Sequence, residues 1–269
     1  FGGFWVFFGD NVKEEYATYK KSSAPILLYH AVGEPVEIEW PPGMILSAPL
    51  FEEHLQSLTQ EGYQIITVAE LAERLKFGYS VEKFVAMSFD DGYRNNHSEA
   101  LPLLKKYNAK ASFYIVDRDI GKTIYMNQSQ LLDLLASDME IGSHTINHAP
   151  LALIDPKYLP WEIGSAKKFL EKKLDGYVLQ GKAYPNGGYN KNVINAMQEY
   201  GFVYGLTGKV GANTHQNFAK APYEMYRISI VDDGSGLEGF KRRLERAYIW
   251  GYLQTKGIDL NILREMLMK

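Results

Sequence analysis

The strongest constraint on the fold is the regular alternation of short apolar runs with amphipathic segments from about residue 25 onward. The runs at 25–29 (PILLY), 84–89 (FVAMSF) and 110–116 (KASFYIV) predict buried strands. Further strands are predicted at 63–66, 140–142, 178–184, 202–206 and 226–231, and helices at 47–62, 67–76, 98–107, 129–136, 156–174, 190–200 and 236–252. Alternation of this kind favours a parallel sheet covered by helices. We predict the α/β class, with a single distorted (β/α) barrel of about seven units.

Composition excludes several classes of protein. The 269 residues suit one barrel, and 46% hydrophobic with 23% charged residues is ordinary for a globular chain. The net charge of −3 gives no basic field, so we expect no nucleic-acid partner. The absence of cysteine excludes a thiolate nucleophile and a cysteine-ligated metal, and is compatible with a location outside the cytoplasm. The 19 Tyr, 13 Phe and 4 Trp fit either a large core or a groove that stacks on sugar rings.

The first 24 residues are set apart from this pattern. Phe1–Gly9 (FGGFWVFFG) is almost wholly apolar, and Asn11–Ser23 is polar and rich in lysine. Two interpretations stay open: the end of a membrane anchor followed by a spacer, or an edge segment that packs on the domain. We predict an anchor remnant or spacer at 1–24 and a catalytic domain at 25–269.

Two adjacent carboxylates follow the predicted strand 84–89. Asp90 and Asp91 at the end of an extended strand point to different sides, so one can bind a metal while the other stays free as a base. Gly92 allows a sharp turn there. The alternative is an ordinary Asp-Gly turn.

Two histidines follow the predicted strand 140–142. His144 and His148 are four residues apart, which on a helical turn places both imidazoles on one face. That arrangement suits a shared cation, although a pair of exposed loop histidines is the alternative. Because the carboxyl ends of parallel strands meet at one edge, the histidines and the aspartates are expected to converge.

Three stretches in this order resemble the polysaccharide deacetylases, carbohydrate esterase family 4. SFDDGYRNN is similar to the first motif of the family, SHTINH to its His-Ser/Thr-x-x-His motif and AYPNGGYN to its third motif. PILLYH and MYRISIV resemble the branch that includes the poly-N-acetylglucosamine deacetylases. The resemblance covers about residues 25–250.

The resemblance implies a function and residue roles. Asp91, His144 and His148 would hold a divalent metal, most often zinc, and Asp90 would be the general base. The predicted substrate-binding residues are Tyr184, Pro185, Asn186, Gly187 and Tyr189, with the Asn186 N–H helping to hold the oxyanion. The implied reaction removes N-acetyl groups from N-acetylglucosamine residues of a cell-wall or extracellular polysaccharide and releases acetate. It would take place at the cell surface or outside the cell.

The sequence departs from the family pattern at two positions. Ala183 stands where many members carry an arginine that orients the base. No histidine follows His215, which itself lies in a predicted polar loop (GANTHQN) without the context of the usual general acid. His30, directly after the first strand, is the predicted substitute acid. Arg227 either pairs with Asp90 or is an ordinary surface ion-pair residue.

Three other functions compete with this one. A catalytically weak or inactive glycan-binding member of the same fold is compatible with the missing acid. A phosphatase with an aspartyl nucleophile needs Asp-x-Asp, whereas these aspartates are adjacent. An unrelated metal-dependent amidase for small molecules is expected to have a closed pocket rather than an open groove.

Overall fold

The strands of this computed structural model, which describes residues 10–33 and 43–258, follow the chain in eleven short segments. They are β1 (Ser23–Tyr29), β2 (Ala31–Val32), β3 (Ile45–Leu46), β4 (Gln64–Ile66), β5 (Phe84–Phe89), β6 (Ser112–Ile115), β7 (Glu140–Ser143), β8 (Gly181–Ala183), β9 (Tyr204–Leu206), β10 (Ala212–Thr214) and β11 (Ile228–Ser229). The helices are α1 (Asp10–Lys21), α2 (Ala48–Gln60), α3 (Val68–Phe77), α4 (Leu101–Lys106), α5 (Gln128–Ala136), α6 (Ala166–Lys173), α7 (Lys191–Glu199), α8 (His215–Lys220) and α9 (Gly236–Thr255).

Seven parallel strands curl into a half-barrel in the order β11, β1, β5, β6, β7, β8 and β9. An eighth parallel strand, β4, pairs with the first half of β5. Leu27 of β1 is paired with Met87 on one side and Ile228 on the other. A parallel bridge joins Leu206 of β9 to Met225, in the segment that precedes β11. The predicted barrel of about seven units is confirmed, and the carboxyl ends of its strands share one edge.

The core explains most of the aromatic residues. Every residue of β1 and of β5 is buried, as expected of strands covered on both faces. The rings of Tyr29 and Phe113 both stack on the ring of Phe89, with centroids 5.4 and 4.8 Å away from it. Tyr114, Tyr184 and Tyr204 are also fully buried. The high content of aromatic residues therefore reflects a large core more than an aromatic groove.

Two predicted helices are interrupted by proline. The segment predicted as a helix at 98–107 is π-helical at Asn96–Ala100 and becomes α-helical only at α4. The predicted long helix at 156–174 divides into a 3₁₀ turn (Pro156–Tyr158), a π-helical segment (Pro160–Ser165) and α6. Pro102 and Pro160 lack the N–H that a regular ladder needs, and their rings displace the carbonyl four residues earlier.

Residues 10–24 are part of the folded domain rather than an extended spacer. In α1, Tyr16 and Tyr19 are buried, and the Tyr19 hydroxyl donates to the Ala212 carbonyl oxygen at 3.0 Å. The ammonium of Lys20 lies 2.6 Å from the carboxylate of Glu245 on α9. The predicted anchor at 1–9 lies outside the described residues. Within the described ranges, no helix is both long and apolar enough to cross a membrane.

One region was predicted as a polar loop and is ordered structure. Residues 212–214 form β10, which is antiparallel to the start of β1, and a Thr214–Asn217 capping box begins α8. The strand is too short for a hydrophobic pattern to predict it. The ring of His215 is bonded through Nδ1 to the Leu75 carbonyl oxygen at 2.6 Å, so it does not supply a late acid.

Candidate active site

The two aspartates leave β5 through an unusual turn. Asp90 continues the strand, with its N–H bonded to the Tyr29 carbonyl oxygen, whereas Asp91 and Gly92 both have positive φ, 73° and 81°. A Cβ on Gly92 would lie 3.0 Å from the side chain of Ile115, so glycine is suited to this position on both counts. The turn gives the two carboxylates different surroundings, as the sequence predicted.

The two histidines converge through a strained loop and not through the predicted helical turn. Thr145 and His148 have φ of 70° and 55°, which a right-handed helix cannot contain. The loop is held by Glu162, a buried residue of the π-helical segment. Its carboxylate accepts the N–H groups of Ile146 and Asn147 at 3.1 and 3.0 Å. These bonds replace the helical ladder that the spacing had suggested.

One ring nitrogen of His144, Nδ1, already forms a hydrogen bond within the protein. Nδ1 lies 2.9 Å from the carbonyl oxygen of Ala183 on β8, so Nδ1 carries the proton and Nε2 presents its lone pair. Burial lowers the pKa of His144, against the opposing effect of the two nearby aspartates. The imidazole is therefore kept neutral, the form that binds a metal.

Three ligand atoms of the predicted metal site meet at one point. Nε2 of His144 is 3.5 Å and Nε2 of His148 is 3.4 Å from Oδ1 of Asp91, and the three atoms all lie within 4.8 Å of one another. Ligands about 2.1 Å from a tetrahedral ion are separated by about 3.4 Å. The three side chains therefore fit a single divalent cation, with positions left for water and substrate.

Asp90 lies beside this cluster but has a different partner. Oδ1 of Asp90 accepts a hydrogen bond from the guanidinium of Arg227 at 2.8 Å, and both side chains are buried. Its Oδ2 is 3.9 Å from Nε2 of His144. Burial has the largest single effect and would raise the pKa of Asp90, but the charge and hydrogen bond of Arg227, together with His144 and His30, outweigh it and the pKa is lowered. Of the two alternatives for Arg227, the structure shows the ion pair.

These side chains line an open cleft of about 450 Å³. His30 also lines it, and burial lowers the pKa of this histidine. Asn186 and Gly187 of the third motif line it as well. A Cβ on Gly187 would be 2.3 Å from the backbone nitrogen of Gly208, so the absence of a side chain lets these two loops meet.

The third motif contributes less side-chain surface than predicted. Tyr184 borders the cleft but is fully buried, and its hydroxyl donates to the Tyr223 carbonyl oxygen at 3.0 Å. Tyr189 stacks on Tyr184, with ring centroids 5.5 Å apart, and is not part of the cleft lining. Pro185 is buried and also absent from that lining. Of the predicted substrate-binding residues, Tyr184, Asn186 and Gly187 therefore line the cleft, whereas Pro185 and Tyr189 do not.

Sequence reasoning missed two buried charged residues behind the cleft. Glu162 holds the histidine loop, and Lys182 donates to Ser143 Oγ at 2.7 Å, one residue before His144. Burial lowers the pKa of Lys182. Glu162 had been placed on a regular helix, and Lys182 within a strand pattern, so neither position gave a signal of its own.

Comparison with known proteins follows the same motifs. The sequence pattern of the polysaccharide deacetylase family matches residues 78–205. The Bacillus subtilis protein YxkH, provisionally named a polysaccharide deacetylase, is 29% identical over 230 residues, which cover 84% of this chain and 78% of that protein. The chain therefore resembles the polysaccharide deacetylases both in the sequence pattern of residues 78–205 and in its similarity to a relative over most of its length. This similarity supports a hydrolytic deacetylase.

Two further members extend the comparison. The poly-β-1,6-N-acetyl-D-glucosamine N-deacetylase of Staphylococcus epidermidis is 28% identical over 171 residues, 58% of this chain and 59% of that protein. The deacetylase PplD of Streptococcus pyogenes, solved in complex with acetate, superposes with a TM-score of 0.74 at 25% identity and covers 83% of this chain and 99% of its own. The half-barrel described above is the (β/α)-barrel of this family.

Proposed function

We propose that this chain is a metal-dependent deacetylase that removes N-acetyl groups from N-acetylglucosamine residues of a bacterial cell-wall or extracellular polysaccharide. The observation that carries the proposal is the convergence of Asp91, His144 and His148 beside a separately held Asp90. The name of the staphylococcal relative supports N-acetylglucosamine as the sugar.

The proposed cofactor is a divalent cation, with Zn²⁺ favoured by two imidazoles and one carboxylate. A bound cation of this kind polarises a carbonyl oxygen and makes water nucleophilic near neutral pH. Asp91 and His148 would hold it from the cleft side, and His144 from the barrel side, where Ala183 fixes the ring.

Residues of the chain carry out the proton transfers and stabilise the oxyanion. Asp90, kept ionised by Arg227, accepts the proton of the attacking water, whose oxygen bonds to the acetamide carbon. The Asn186 N–H, which also lines the cleft, stabilises the oxyanion. The carbon–nitrogen bond then breaks and acetate leaves, while the proton taken up by Asp90 passes through His30 to the leaving amine. Burial lowers the pKa of His30, so the ring is neutral at rest and can accept this proton before it donates it.

The departure at Ala183 does not leave Asp90 without an arginine. Arg227 reaches it from the segment before β11, and also donates from Nε to the Thr207 carbonyl oxygen at 3.2 Å. This contact favours an active enzyme over the inactive glycan-binding alternative. We further propose that the reaction takes place outside the cytoplasm, at the cell surface or after secretion.

Acetate release tests the proposal. Purified protein is incubated with chito-oligosaccharide, peptidoglycan strands and poly-N-acetylglucosamine, before and after a chelator, and then with Zn²⁺ restored. We expect acetate from at least one glycan, its loss with chelator and its return with metal. Binding of glycans without acetate from any of them would instead establish the inactive alternative.

A further inference from the structure

A second cavity of about 540 Å³ adjoins the loop that carries the histidines. It shares no residue with the cleft described above. Ile146, which lies between His144 and His148 in the sequence, forms part of its wall, and the Ile146 carbonyl oxygen accepts the N–H of Arg118 at 3.2 Å. Two residues of chain span at most about 7 Å, so the cavity lies within one or two sugar lengths of His148.

The cavity is positively charged on a chain that is acidic as a whole. Arg118, Lys172 and Lys173 line it with a single lining carboxylate, Asp117. Because Arg118 also lies 3.6 Å from Asp119, the two lysines supply the positive excess on a chain that carries −3. Burial raises the pKa of Asp117, which weakens its negative charge further. Lys172 and Lys173 are exposed and form no ion pair with a described residue. The local field therefore attracts anions.

One exposed aromatic ring lines the cavity, and a second ring packs against it. Phe169 lines it and is 44% exposed, and Trp161, 48% exposed, meets Phe169 edge-on at 5.7 Å between centroids. Large rings left in water next to a cavity are typical of binding surfaces. Ring faces suit the apolar C–H side of a sugar, while the lysines suit an acidic substituent.

We propose that this cavity is a subsite for a carboxylate-bearing sugar of the same glycan strand whose acetamide lies in the cleft. The inference rests on the proposed deacetylase function and narrows its substrate to an acidic N-acetylated glycan, as in peptidoglycan with free carboxylates. A neutral strand, or one made cationic by deacetylation, lacks the group that the lysines bind.

The lysines are tested by comparing two substrates of equal length, carboxylate-bearing peptidoglycan strands and neutral chito-oligosaccharides. For wild type we expect a lower KM on the acidic strand at low salt. In K172Q/K173Q the KM for the acidic strand should rise about three- to tenfold, which is the effect of two exposed ion pairs. The kcat and the KM for the neutral oligosaccharide should stay within about twofold of wild type.

A matched control removes the same charge elsewhere. K105Q/K110Q changes two exposed lysines just before β6, at the amino end of the strands and away from the site. This variant should have the same KM for the acidic strand as wild type. An equal loss in both double variants would mean that net charge, not the cavity, determines the preference.

Phe169 has its own matched control in Phe77, an exposed ring (58%) paired with Tyr79 at 5.8 Å at the far end of α3. Phe169→Ala should raise the KM for both glycans, and Phe77→Ala should raise it for neither.

The outcomes of these experiments distinguish the deacetylase function from the subsite. No acetate from any glycan overturns the deacetylase function, whereas activity without an acidic preference, or with one that K172Q/K173Q retains, overturns the subsite alone.

Discussion

Asp90 and Asp91 are adjacent in the sequence, yet the fold gives them different partners. The positive φ of Asp91 turns its carboxylate to the two histidines, while Asp90 stays on the line of β5 and meets Arg227. A turn of this kind stores strain that the surrounding sheet maintains. The division between a metal ligand and a base therefore follows from backbone conformation rather than from residue type.

The buried pair of Asp90 and Arg227 gives a prediction about stability. Arg227→Met leaves a buried carboxylate without its partner, which should lower the free energy of unfolding by about 3–5 kcal/mol. In the D90N/R227M double variant the unpaired charge is gone, so the loss should be clearly smaller than the sum of the single losses. Urea unfolding of the four proteins measures this coupling, and additive losses would show that the pair does not interact in solution.

The loop from Ser143 to His148 is the element whose shape the site needs most. Glu162 holds it with one carboxylate on two successive N–H groups, and the Asn147 side-chain amide donates to the same carboxylate at 2.6 Å. A bond from a charged acceptor to two backbone donors is stronger than its neutral equivalent. We infer that Glu162 is a positioning residue for His148.

Replacement of Glu162 should therefore affect metal binding before it affects the fold. Glu162→Ala is expected to weaken zinc affinity by about 10–100-fold, as outer-shell changes do elsewhere. Glu162→Gln keeps one carbonyl acceptor and should recover part of that loss. Zinc titration against a competing chelator gives both affinities. If the alanine variant binds zinc as tightly as wild type, the loop keeps its shape without Glu162.

His54 on α2 predicts a pH dependence of stability. Its ring stacks on Phe240 with centroids 4.0 Å apart, Nε2 has no partner among the described residues, and burial lowers its pKa from 6.5 to about 3. Between these values the unfolded chain binds a proton that the folded chain does not. The free energy of unfolding should thus fall as pH drops from 6.5 towards 3, by up to about 1.4 kcal/mol per unit.

The contribution of His54 can be separated from that of the carboxylates. His54→Gln removes the titration, so its stability should decline less steeply than that of wild type over the same pH range, whatever constant offset the change brings. Urea unfolding at several pH values provides both slopes. Parallel slopes would mean that His54 is solvated in the folded protein.

At the scale of the whole molecule, α1 packs against β10 and α9 and so attaches the start of the chain to the barrel. Tyr19→Ala should cost about 2–4 kcal/mol of stability, because a buried ring and its bond to Ala212 are lost. Tyr79→Ala, at a ring that is 59% exposed, should change stability by less than about 0.5 kcal/mol. Equal effects in thermal unfolding would show that α1 is only loosely attached.

The sequence predicted the parts of the molecule that depend on periodicity and motif order. The barrel class and the strand at Phe84–Phe89 followed from apolar runs, and the convergence of the aspartates with the two histidines followed from their places at strand ends. The choice of Asp91 over Asp90 as the metal ligand came from the family resemblance. Features set by tertiary contact were missed, since the ring of Tyr184 and the loop shape at Thr145 depend on neighbours distant in the chain. Proline positions would have corrected the two interrupted helices.

In the proposed site Asp91, His144 and His148 hold the metal, and Asp90 acts as the base. The direct test is the zinc content and the acetate release of Asp90→Asn, measured on the same preparation beside His148→Ala. We predict that Asp90→Asn keeps about one zinc per chain and loses turnover by about 10²-fold or more, while His148→Ala loses both. Near wild-type turnover in Asp90→Asn, or full zinc content in His148→Ala, would contradict the account.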